Sequence, residues 1–154
     1  MLGTSNEIRN PGLRALPPGV ERYFVKGGGL SVIEVFPEDK IEIINDEGKQ
    51  ICEIIVFDAQ GKPDLSILNL RENANADFSK KTITNDEKIG KIFKKRNLDL
   101  NKAKSSIVFN EDCLMGEKKI LSSKDKCFVL IAAPGDPLNV HKQNPPTDLT
   151  IFVN

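Results

Sequence analysis

A chain of 154 residues with 39% hydrophobic and 29% charged side chains can bury one core without metal or disulfide staples. Its formal net charge of zero argues against wholesale attraction to nucleic acid or to an anionic membrane surface. The longest apolar stretch, Cys127 to Ala133, is of strand length and far short of the roughly 20 residues that span a bilayer.

Residues 1–19 read as an irregular leader, because Pro11, Pro17, Pro18, Gly12 and Gly19 oppose a long helix. Met1 to Asn10 lacks the apolar core of a secretory signal. Residues 20–154 are expected to form a single β-rich domain, read as the amino-terminal fragment of a longer protein.

Tyr23 to Val25 reads as a short strand, broken by the Lys26 to Gly29 run. Leu30 to Phe36 alternates apolar and polar residues, and Pro37 to Lys40 is a turn. Ile41 to Ile44 is the next strand. Asn45 to Lys49 ("NDEGK") then suggests a hairpin, with Gly48 free to take positive φ. Its partner, Ile51 to Phe57, is nearly continuous in Ile and Val, as expected of a strand buried on both faces.

Residues 64–83 read as loop or broken helix. In "TNDEKIGKIFKKR", Thr84 and Glu87 fit a capping box. Ile89, Ile92 and Phe93 share one face at helical spacing, and Lys94, Lys95 and Arg96 fall where the helix dipole favours cations. An amphipathic helix over Asp86 to Arg96 follows, with a further helical turn around Asn101 to Lys104. Ile107 to Phe109, Lys119 to Leu121, Cys127 to Ala133 and Leu149 to Val153 read as strands. Many short strands without regular βαβ alternation point to a mostly-β barrel or sandwich with one helical insertion around 84–97.

No phosphate-binding loop and no GxSxG elbow is present. Cys52, Cys113, Cys127 and His141 are, by type, a complete zinc set, but no local knuckle joins them. The expectation is no metal, with Cys113 and Cys127 as the residues to watch. The three cysteines include no CxxC and read as reduced thiols of a cytoplasmic protein. Glu53 interrupts the strand "ICEIIVF". A carboxylate there points outward or sits in a cavity; the first is favoured, and the second would make Glu53 a candidate acid or base.

Ser79 to Lys104 carries nine Lys or Arg against three Asp or Glu, which suits a solvated helix face or a surface for an anionic partner. Between the last two strands, Pro137, Pro145 and Pro146 stiffen a loop that carries Asn139, His141, Gln143 and Asn144. These four are candidates for contact with a ligand or another domain, against a plain turn-making role.

Read together, "EVFPEDKIEIINDEGKQICEIIVFDAQGKPD" resembles the opening of the urea carboxylase-associated domain family. "FVLIAAPGDPLNVHKQNPPTDLTIFVN" is similar to the end of that domain where it precedes a glycine-cleavage T-protein-like aminomethyltransferase. The resemblance implies an accessory domain that works with the catalytic region of the same polypeptide. No cofactor is implied for this chain, and tetrahydrofolate is implied for the parent. Other members of the family are metal-dependent hydrolases of urea- or guanidine-type nitrogen compounds. Their metal segments lack a counterpart histidine beside Cys113 or Cys127, so a small-molecule-binding or hydrolase domain is the alternative.

Overall fold

Cys52–Asp58 and Cys127–Ala132 show no polar alternation of the sort that marks a half-solvated strand, and they pair side by side in antiparallel register. Both need apolar material above and below. The computed structural model, which describes residues 20–109, 112–134 and 147–154, supplies it from two directions.

Eight strands are described: β1 Glu21–Val25, β2 Leu30–Val35, β3 Lys40–Asn45, β4 Cys52–Asp58, β5 Ser106–Val108, β6 Glu117–Ser122, β7 Cys127–Ala132 and β8 Leu149–Val153. They form two four-stranded antiparallel sheets. Sheet A has the order β2-β7-β4-β5 and sheet B the order β1-β8-β3-β6. Ile54, Val56, Val129 and Ile131 of sheet A meet Ile41, Ile43, Leu149 and Ile151 of sheet B in one apolar cluster. The mostly-β expectation therefore holds in its sandwich form.

The other face of sheet A carries Leu30, Val32, Ile55, Phe57, Phe128 and Leu130, and a helical layer covers it. The expected single insertion around 84–97 is two helices, α1 over Asp77–Thr84 and α2 over Glu87–Lys95. The stretch read as loop or broken helix holds α1 together with a 3-10 turn at Leu65–Leu68. The Thr84 cap is also corrected. Thr84 closes α1, and its hydroxyl donates to the Lys80 carbonyl at 2.7 Å. Asp86 caps α2 instead, its carboxylate accepting from the Lys88 and Ile89 amides at 3.0 and 3.2 Å.

Two of the three expected face residues of α2, Ile89 and Phe93, are buried, and the Phe93 ring meets Phe57 edge-on at 5.8 Å, whereas Ile92 is only partly buried and lies outside the cluster they join. Phe93→Ala is expected to cost about 3 kcal/mol or more in urea unfolding, since it removes the main peg between helix and sheet. A loss within about 0.5 kcal/mol would mean that this face is not core.

Asn45 to Lys49 does not close a hairpin. β3 pairs with β6 and β8, whereas β4 pairs with β5 and β7, so the segment carries the chain from sheet B to sheet A. Gly48 has positive φ as expected, but the turn serves a crossing. The reason lies in the side chains. β4 is covered on both faces, and its central neighbour must be apolar on both. β7 meets that demand, while β3 turns Lys40 and Glu42 to its second face.

Candidate functional site

Several of the segments between strands meet at one pole of the sandwich and knit by long-range hydrogen bonds. The Gly28 amide donates to the Ala133 carbonyl at 2.7 Å, and the Gly27 amide to the Asp148 carboxylate at 2.8 Å. The Lys49 amide donates to the Cys113 carbonyl at 2.9 Å, and the Gly116 amide to the Asn45 carbonyl at 2.7 Å. The segment bearing Asn139, His141, Gln143 and Asn144 runs between Pro134 and Thr147 in the chain, and those four residues lie outside the described ones.

Asn45 and Gln50, both buried, form the centre of this pole. The Asn45 side-chain amide donates to the Gln50 carbonyl at 2.7 Å and to Cys113 Sγ at 3.4 Å. Gln50 Oε1 accepts from the Thr147 amide at 2.7 Å, and Asp46 accepts from the Thr150 hydroxyl at 2.8 Å. Among the described residues, Asn45 Oδ1 and Thr147 Oγ1 have no hydrogen-bond partner. A carbonyl and a hydroxyl in that state accept well from N–H or O–H groups. Both atoms are buried, so the network joins the segments of the pole to one another. Sequence reasoning missed Asn45 and Gln50, because it took their turn for a hairpin, and Thr147, because its partner Gln50 lies 97 residues away in the chain.

Glu53 points into the protein and is 5% exposed, against the outward orientation favoured from sequence. Its alternation with Cys52 and Ile54 aims it at the helical layer, where Oε1 accepts from the Ser79 hydroxyl at 2.6 Å and the Ser79 amide at 3.1 Å. Ser79 lies in the first turn of α1, whose amides have no partner within the helix, and Ala76 at the cap supplies no side-chain bond. A carboxylate from the sheet thus caps a helix from outside. Glu53→Ala leaves two buried donors unpaired and is expected to cost about 2–4 kcal/mol. Glu53→Gln keeps an acceptor and should cost less, as urea midpoints of the two variants would show. Equal losses would contradict the capping role.

The thiols are dispersed. Cys127 stands opposite Asp58 in the β4–β7 ladder, and Cys52 lies six positions further along β4. At about 3.3 Å per residue that is roughly 20 Å, too far for one metal ion. Cys113 lies at the loop pole beside Asn45, and all three cysteines are buried and free. Burial pushes the Cys113 thiol up to about 11, with a further push from Glu117. Burial raises Cys52 and Cys127 as well. Thiols so placed carry little thiolate near neutrality and are poor nucleophiles. Among the described residues no group of three or more His, Cys, Asp or Glu is placed to hold a metal ion.

The basic run is divided. Lys91, Lys94 and Lys95 are exposed on α2, and an open groove of about 630 Å³ beside them is lined also by Asp86, Glu87 and Asp99. Alternating charge of this kind gives an anion no single-sign cradle. Arg96 is drawn back to the sheet, 3.5 Å from Glu34 and stacked over the Phe128 ring.

No protein-family model matches the chain. It is 31% identical over 152 residues to a trimethylamine-oxide aldolase of Ruegeria pomeroyi. The match takes in 95% of this chain and 19% of that protein, so the chain spans about a fifth of the relative's length. No helix of the described residues is long and apolar enough to cross a membrane.

Proposed function

We propose that this chain is an accessory domain of a longer one-carbon enzyme, resembling the glycine-cleavage T-protein-like aminomethyltransferases, and that it is not catalytic alone. The observation that carries the reading is the match itself, which is nearly complete on this chain yet corresponds to a fifth of a much longer relative. The relative's name supports a small methylated amine or amine oxide as the parent's substrate. Tetrahydrofolate, in this reading, belongs to the remainder of the polypeptide, and no residue described above is assigned to it.

The fates of the reactive side chains support the same view. Glu53 is committed to capping α1, and the three thiols are buried with raised pKa values. At the loop pole Asn45 and Gln50 are buried and hold distant segments together, a structural use that leaves no described polar group assigned to chemistry. Asn139, His141, Gln143 and Asn144 fall between Pro134 and Thr147 in the chain and are proposed as contacts to a ligand or to the partner region.

The test compares the isolated chain, the remaining polypeptide and the two together, with tetrahydrofolate and methylated amines as substrates. The isolated chain should give no tetrahydrofolate-dependent turnover. Turnover by it would refute the accessory role, and hydrolysis of carboxylated guanidine or urea by it would favour the hydrolase alternative.

A further inference from the structure

The edge strand of a sheet presents unpaired backbone amides and carbonyls, and the edges of this sandwich differ in how these are met. At β5 the Asn73 side chain stands in for a neighbouring strand. Its Oδ1 accepts from the Ile107 amide at 2.7 Å, and its amide donates to the Ile107 carbonyl at 3.3 Å. Where β1 and β2 approach one another, the Ser31 hydroxyl donates to the Phe24 carbonyl at 3.2 Å. The last strand of sheet B, β6, pairs with β3 alone.

The register fixes which peptide groups of β6 are open. Lys40 and Asn154 exchange both backbone bonds, so Lys40, Glu42 and Ile44 face β8, while Ile41 and Ile43 face β6. Leu121 and Lys119 stand opposite those two and are bonded to them. The amides and carbonyls of Lys118, Ile120 and Ser122 therefore point away from the sheet, and they have no partner among the described residues. The next outward amide, that of Lys124, donates to the Ile67 carbonyl of the 3-10 turn at 3.1 Å. One rung of the edge is thus filled by the chain itself, and three are open.

Beside this edge lies the seam between the two sheets. One groove of about 490 Å³ runs between β6 and residues 68–70, and another of about 440 Å³ between β6 and β5; Lys119 lines both. Leu70 and Val108 are partly buried there against the core between the sheets. Lys118 pairs with Glu42 at 3.0 Å, whereas Lys119 and Lys124 are exposed and have no ion pair among the described residues. The carboxylate of the strand, Glu117, lies at its far end beside Cys113.

We propose that β6 is the docking edge for an extended segment of a partner protein, with a carboxylate between apolar residues, which adds to sheet B as a fifth strand. Three open peptide units supply main-chain bonds, Leu70 and Val108 receive the apolar side chains, and Lys119 receives the carboxylate. Lysines on an edge ordinarily keep other strands away. Here they disfavour a second copy, whose own Lys119 and Lys124 would come to the same seam, and they favour a strand of opposite charge. The proposal stands independently of the accessory-domain reading.

The probe is the blocked peptide acetyl-Val-Thr-Glu-Thr-Val-amide, which as a strand turns Val, Glu and Val to one face. With its Glu opposite Lys119, its two Thr amides meet the open groups of Lys118 and Ile120. The peptide is titrated into the 154-residue chain, and backbone amide shifts are followed by NMR. The expected result is saturable shifts centred on Lys118, Ile120 and Ser122. Binding should be at least tenfold weaker when both Thr amides are N-methylated, and also when Lys replaces Glu in the peptide. Lys119→Glu, a change at an exposed position, should reverse the preference between the Glu and Lys peptides. No saturable shift up to the solubility limit of the peptide would overturn the proposal. Equal binding of the N-methylated peptide would do so too, since it would show attraction of charge without strand addition. Shifts at the same residues that grow with concentration of the chain alone would assign the edge to a second copy and equally overturn it.

Discussion

Gly61→Ala is expected to destabilise the fold by about 3 kcal/mol, in line with the sum of a left-handed backbone penalty and a steric overlap. Gly61 has φ +88, and a Cβ built on it falls 1.9 Å from the Asn97 carbonyl oxygen and 2.7 Å from its carbon. The neighbour is backbone and has no rotamer to yield. The two segments are also bonded, with the Asp99 amide donating to the Gly61 carbonyl at 2.8 Å. The turn after β4 therefore rests directly on the chain leaving α2. Gly116 is the matching control: its φ is +78, and a Cβ there meets nothing within 4 Å. Gly116→Ala should cost about 1 kcal/mol, the conformational part alone. Urea unfolding of both variants separates overlap from backbone strain, and equal losses would show that the close approach is not rigid.

Cys127→Asp is expected to cost about 4 kcal/mol or more at neutral pH, because it places a carboxylate in a dry core. Cys127 is fully buried between the sheets, with the Ser123 hydroxyl 3.5 Å from its sulfur. Asp39 and Asp125 add negative potential there, which already helps burial to raise the native thiol. The introduced carboxyl would have its folded pKa raised above the unfolded value. Its neutral form is the one the core tolerates, so the penalty should shrink as pH falls below that folded pKa. Cys127→Ala supplies the comparison without charge. Unfolding curves at neutral and acid pH that show the same deficit would contradict a buried charge as the cause.

What was legible in the sequence follows from what alternation and spacing encode. Period two shows which face of a strand is wet, so the doubly buried β4 and β7 stood out as central. Period 3.6 did the same for Ile89 and Phe93. Neither period names a strand's partner. Gly48 takes positive φ in a hairpin and in a sheet-to-sheet crossing alike, and only the polar second face of β3 decides between them. The cap was misplaced because Thr84 can bond forward to an amide or back to the Lys80 carbonyl, and α1 captures it for the second. Glu53 was misread because an outward strand face was equated with solvent, although α1 covers it. At the candidate site, Asn45, Gln50 and Thr147 meet through contacts between distant parts of the chain, and such contacts leave no periodic trace.

The position of β8 has a consequence for biosynthesis. β1 and β3 do not touch as a pair; β8 lies between them and bonds to both. Likewise β2 and β4 are joined only through β7. A ribosome delivers the strands in chain order, so the early ones emerge long before the strands that bridge them. Until Leu149 to Val153 has left the exit tunnel, sheet B has a gap at its second position and two open edges facing it. Such edges invite pairing with other chains. Closure of contacts this distant in sequence is slow. The nascent chain is thus committed to a long exposed interval, which makes its early strands natural clients for ribosome-associated chaperones.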